Sequence, residues 1–155
     1  MDSFSNKLVQ RDQENAMADF LLEDSVIQSF CRYLEVEGWT IHTRCLGRDH
    51  GTDITAQKGS VTLLVEAKGG KGNPKNGPVV REKFDSGQIK DHLGKAIVKV
   101  LELKDKNPGA LLLIAHPFTE PIFRIVQPIA QQLQVIGITF AFLKENGSFI
   151  FIGKI

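Results

Sequence analysis

The stretch His50–Gly70 carries two carboxylates and an amine at a spacing that two strands could bring together. Thr52–Ala56 and Val61–Lys68 both read as short strands, the second rich in branched apolar residues, with a turn at Lys58-Gly59-Ser60 between them. Residues two apart in a strand share a face, so Glu66 and Lys68 point the same way at the end of an otherwise apolar strand. Adjacent strands also allow Asp53 to lie beside Glu66. Two carboxylates and an ammonium at the rim of a sheet would suit a hard divalent cation and a reactive water. The plainer alternative for Glu66 and Lys68 is a same-face ion pair at a strand end.

The chain contains its own control for this pattern. Glu-x-Lys occurs twice, as Glu66-Ala67-Lys68 and as Glu102-Leu103-Lys104. The second copy falls in a helical pattern, where residues two apart do not face each other. Only the strand copy can converge on one ion.

Elements must position these residues. An apolar stripe through Ile27, Phe30 and Leu34 predicts a helix from about Asn15 to Val36, ahead of Gly38. Counting back along the stripe reaches Glu23, an acid on an inward face that needs a partner there, or else marks the solvent end of the stripe. Trp39–Leu46 alternates as a strand, and Gly47–Gly51 is the turn into the Asp53 strand. Residues 69–87 break the pattern, with four glycines and two prolines in the first ten positions marking a loop. Between Lys68 and Lys83 stand five basic residues (Lys68, Lys71, Lys75, Arg81, Lys83) against one acid, Glu82. Ser86 is a candidate N-cap for the next helix, whose core stripe is Ile89, Leu93, Ala96 or Ile97, and Val100, beside a polar stripe of Gln88, His92, Lys95 and Lys99. Ala110–Ala115 reads as a strand buried on both faces. Thr119 and Pro121 start a helix towards Gln134, with Pro128 expected to kink it or split it in two. Ile138–Leu143 and Ser148–Ile152 form a hairpin through Glu145-Asn146-Gly147. The expected class is α/β or α+β, a central mixed sheet flanked by helices.

Bulk properties set bounds. At 155 residues the chain is expected to form a single domain over 16–155, after a polar, flexible segment 1–15. The formal net charge of +1 gives no global argument for nucleic acid or membrane, so any such argument must be local. Cys31 and Cys45 form no metal-ligand spacing and read as reduced core residues, which suits the cytoplasm. No apolar signal core and no stretch of transmembrane length is present, and no membrane partner is expected. His42 and His116 read as strand-end residues, His50 as a turn or substrate-contacting residue, and Trp39 as core. Gly69-Gly70-Lys71-Gly72 lacks the spacing of a phosphate-binding P-loop.

The element order and these residues together resemble the restriction-endonuclease-like superfamily, the PD-(D/E)XK nucleases, over roughly residues 19–115. The resemblance implies an αβββαβ core, to which this chain adds a C-terminal helix and hairpin. It implies a site made of Glu23 from the first helix, Asp53, and Glu66 with Lys68. Thr52 stands where the family often has Pro. Gln88-Ile-Lys-Asp-His92 is similar to the family's Gln-x-x-x-Tyr, with His92 in place of Tyr.

The implied chemistry is metal-dependent hydrolysis of phosphodiester bonds, with DNA as the expected substrate and Mg²⁺ or Mn²⁺ as cofactor. Asp53 and Glu66 would be metal ligands, with the Ala67 carbonyl a third. Lys68 would orient a water or neutralise developing charge, Glu23 would hold a water or a second ion, and Gln88 would bond Lys68 or a phosphate. Lys71, Lys75, Arg81, Lys83 and His92 would contact the substrate backbone. A homodimer would let two sites reach both strands. The alternative is an inactive protein of the same fold that binds nucleic acid or a partner. A third reading is a subunit docking through its apolar segment Phe140–Ile155.

Overall fold

The computed structural model describes residues 20–72 and 83–155. In chain order the elements are α1 (Glu23–Val36), β1 (Thr40–Arg44), β2 (Ile54–Lys58), β3 (Val61–Ala67), α2 (Ser86–Lys106), β4 (Leu111–Pro117), α3 (Glu120–Gln134), β5 (Ile138–Leu143) and β6 (Phe149–Ile152). The class is α+β: one six-stranded mixed sheet in the order β1-β2-β3-β4-β5-β6, with three helices among the described residues. The β1–β2–β3 meander and the β5–β6 hairpin are antiparallel, and β3–β4–β5 are parallel. Each parallel step needs a crossover, which α2 and α3 supply.

The sheet has a core on each face. Alternation in β3 sends Leu63, Val65 and Ala67 towards α1, where Val26, Ile27, Phe30 and Leu34 are buried. The opposite set begins with Leu64 and packs with Ile89, Leu93, Ala96 and Val100 of α2 and Ile122, Val126 and Ala130 of α3. Each large side chain buried in this way contributes about 1.5–3 kcal/mol. Glu66 and Lys68 continue the Leu64 series, so they face α2.

Several boundaries differ from the sequence expectation. The helix carrying Ile27, Phe30 and Leu34 begins at Glu23, after a turn at residues 20–22 in which Leu22 has extended backbone; the expected stretch 15–19 lies outside the described residues. The second helix is capped by Asp85 rather than Ser86. The Asp85 carboxylate accepts from the Gln88 N–H at 2.9 Å and the Gln88 Oε1 accepts from the Asp85 N–H at 3.0 Å, a reciprocal capping box. The last helix runs as one element through Pro128 rather than as two. Pro128 is exposed, and so is Arg124, whose carbonyl loses its intrahelical donor; on the solvent side water can satisfy that oxygen. Thr119 caps this helix, its hydroxyl accepting from the Ile122 N–H at 3.2 Å.

β5 is buried throughout, and Phe149 and Phe151 of β6 pack against Phe30 and Tyr33. The apolar side chains of the C-terminal segment are thus buried or half-buried within the chain, except Ile155, which is exposed. No helix among the described residues is long and apolar enough to cross a membrane.

Candidate functional site

The β2–β3 register builds the site. Ile54 pairs with Val65, so one further step places Asp53 opposite Glu66. The Asp53 carbonyl accepts from the Cys45 N–H at 2.9 Å, and its Oδ2 accepts from the Ala67 N–H at 2.8 Å. Both neighbouring strands therefore hold Asp53, one by backbone and one by side chain. Asp53 is 8% exposed and Glu66 3%. Burial pushes the Asp53 carboxyl up to about 6 against the Ala67 N–H; Glu66 adds to the rise, while Lys99 and Lys68 oppose it.

Lys68 follows β3, its backbone N–H donating to the Ala115 carbonyl at 2.9 Å. Its ammonium donates to Glu66 Oε1 at 2.9 Å. Glu66 meets a second cation, since the Lys99 ammonium stands 2.7 Å from Oε2. That distance is a short charge-assisted contact, so each oxygen of the buried Glu66 carboxylate has its own ammonium. Lys99 also donates to the Gly51 carbonyl at 2.7 Å. Burial works against its charge, yet Glu66 and Asp53 together raise its pKa.

Glu23 joins from the first turn of α1. It is an exposed residue; desolvation of its carboxyl beside the sheet pushes the pKa up to about 7, Lys68 lowers it, and Asp53, Glu66 and Asp24 raise it further. Close backbone packing brings α1 here. The Gly70 N–H donates to the Leu21 carbonyl at 2.7 Å, and a Cβ on Gly69 would lie 2.9 Å from both the Leu21 carbonyl oxygen and the Glu23 nitrogen. Gly69→Ala is accordingly expected to cost about 1–3 kcal/mol, because backbone cannot yield as a side chain can. Urea denaturation of the variant measures it.

The remaining expected site residues are distributed around this centre. Gln88 serves the α2 cap, and no hydrogen bond to Lys68 forms. His92 stacks on Phe84 with ring centroids 4.5 Å apart; burial lowers its pKa, helped by Lys68 and Lys95. Lys71 and Lys83 pair as an antiparallel bridge at the base of the glycine-rich loop, where the Phe84 N–H donates to the Gly70 carbonyl at 2.9 Å. Lys75 and Arg81 lie outside the described residues. His50 is an exposed turn residue, and His42 contacts Gln57 at 2.9 Å. His116 is buried between β3 and β5, with its Nε2 unpartnered. A cavity of about 300 Å³ lined by Tyr33, Trp39, Lys58, Val61 and Leu111 opens at the opposite end of β3 from Glu66 and contains none of these residues.

Two functional features were not assigned from sequence. Lys99 was visible as part of the polar stripe on α2, but nothing marked Glu66, 33 positions away, as its partner. The glycines at 69 and 70 read as loop formers rather than as the seat of α1.

The donor set can be tested against a hard cation. Among the described residues, no group of three or more His, Cys, Asp or Glu side chains is placed to hold a metal ion. Mg²⁺ needs only one or two carboxylates and keeps several waters. Asp53 and Glu66 supply hard oxygens of this kind on adjacent strands, with Lys99 standing at Glu66 Oε2. Comparison with family models, with curated proteins and with solved structures returned no match.

Proposed function

We propose that the chain is a metal-dependent nuclease that hydrolyses phosphodiester bonds in DNA. The observation that carries this reading is the pair of buried carboxylates, Asp53 and Glu66, set opposite each other across β2 and β3 with the ammoniums of Lys68 and Lys99 on Glu66. Two buried acids side by side cost stability, and Asp53, whose carboxyl is pushed up chiefly by burial, is the kind of group that concentrates at functional sites.

Asp53 and Glu66 would hold Mg²⁺ or Mn²⁺. The Ala67 carbonyl would be a further ligand, since in a strand it leaves on the same edge as the N–H that reaches Asp53. The bound ion would supply Lewis acidity and a more acidic water. Lys68 would orient that water and offset charge on the phosphoryl oxygens. Glu23, brought in by the first turn of α1, would hold a water or a second ion. Lys71 and Lys83, with Lys75 and Arg81 of the same loop, would follow the sugar-phosphate backbone and give salt-dependent affinity. A homodimer acting on both strands and a cytoplasmic setting, consistent with the free thiols of Cys31 and Cys45, complete the proposal.

Lys68→Ala is expected to lower Mg²⁺-dependent cleavage of duplex DNA about 10²–10³-fold with the circular dichroism spectrum retained. Undiminished cleavage by the pure variant would remove the reading. One observation favours an inactive binding module instead: Glu66 already contacts two ammoniums. Such a module would bind DNA in a salt-sensitive way and take up no Mn²⁺ in calorimetry.

A further inference from the structure

Lys99 stands on the middle of α2, in neither β2 nor β3, yet its ammonium meets two oxygens of the site. One is Glu66 Oε2 at 2.7 Å, and the other is the Gly51 carbonyl at 2.7 Å, two residues before Asp53. A carboxylate oxygen and a backbone carbonyl are the ligands a hard cation takes. The Lys99 side chain is 35% exposed, against 15% for Lys68 and 3% for Glu66, so it is the cation with room to leave. Lys68 holds the other oxygen of the same carboxylate and need not move.

We propose that Lys99 is a tethered cation that fills the coordination space beside Glu66 Oε2 and must be displaced for a divalent ion to bind. The inference rests on the metal-dependent reading above and deepens it. With Lys99 in place, Glu66 has a counter-charge while the ion is absent. Once displaced, the same ammonium stands at the rim of the site, free to meet an anion. Lys99 is thus a residue that sets ion affinity, distinct from the ligands themselves.

Calorimetric titration of the full chain with Mn²⁺ tests this without reference to cleavage. Lys99→Met keeps the aliphatic stem and removes the charge. It is expected to bind Mn²⁺ at least about tenfold more tightly than the wild type. Binding by the variant alone supports the inference equally. Equal or weaker binding by Lys99→Met overturns the inference and leaves the metal-dependent reading standing. Absence of binding by both proteins overturns the two together. A second measurement uses only the wild type, in case Lys99→Met does not fold. Acetylation of Lys99 by acetic anhydride, followed by peptide mass spectrometry, is expected to accelerate severalfold when Mg²⁺ is added. An unchanged rate overturns the displacement.

Discussion

Asp53→Asn is expected to stabilise the protein in chelator at pH 8 and, in the same molecule, to abolish the DNA cleavage proposed above. Asn keeps the one hydrogen bond that the structure gives this side chain, because an amide oxygen accepts from the Ala67 N–H as Oδ2 does. What it removes is a buried charge facing Glu66. Burial raises the Asp53 pKa from 3.8 to about 6, so the native state holds this proton more tightly than the unfolded chain. A group raised in this way lowers stability as pH climbs from about 4 to 6, and the full cost is present above that window. The gain from Asn should therefore be about 2–3 kcal/mol at pH 8 and vanish near pH 4. Urea denaturation at both pH values measures it. Loss of a cation ligand should lower cleavage about 10²–10³-fold. A residue kept for folding would show the opposite sign of stability change, so a destabilised Asp53→Asn variant would assign Asp53 to structure.

The second large effect belongs to His116. Its ring is 2% exposed and lies near-parallel to Phe140 and Phe142, with centroids 6.3 and 6.0 Å away. Burial lowers its pKa to about 3, and the neighbouring charges of Lys68 and His92 push the same way. The unfolded chain therefore binds a proton that the native state refuses. Stability supplied by the neutral ring is complete above about pH 6.5 and drains as pH falls towards 3, by about 5 kcal/mol over the whole window. Glu23 and Asp53 act in the opposite direction over part of this range, since protonation relieves them. Comparison with His116→Leu isolates the histidine. Between pH 7.5 and 5.0 the wild type should lose about 2 kcal/mol relative to the variant in paired urea titrations. Parallel behaviour of the two proteins would mean that His116 accepts its proton in the folded state.

Local pattern carried much of this architecture. The alternation over 61–67 put Glu66 and Lys68 on one face, and the Lys58-Gly59-Ser60 turn set the register that extends to Asp53. Those relations depend on a two-residue period and a short turn, which neighbouring residues dictate. Cap chemistry was legible in kind but not in place, because Asp85 and Ser86 are both good cap residues and only the reciprocal bond with Gln88 separates them. Pro128 shows the same limit: its cost depends on whether the freed carbonyl meets water, a question of which face is buried.

The order of the elements and the sidedness of each strand follow from the residues alone, because backbone sterics and side-chain alternation act over a few positions. Tertiary structure alone decided that Lys99 reaches Glu66, that Gly69 and Gly70 seat the first turn of α1, and that His116 loses its solvent. Those outcomes depend on the layering of helices against the two faces of the sheet, a balance of burial and desolvation summed over the whole core.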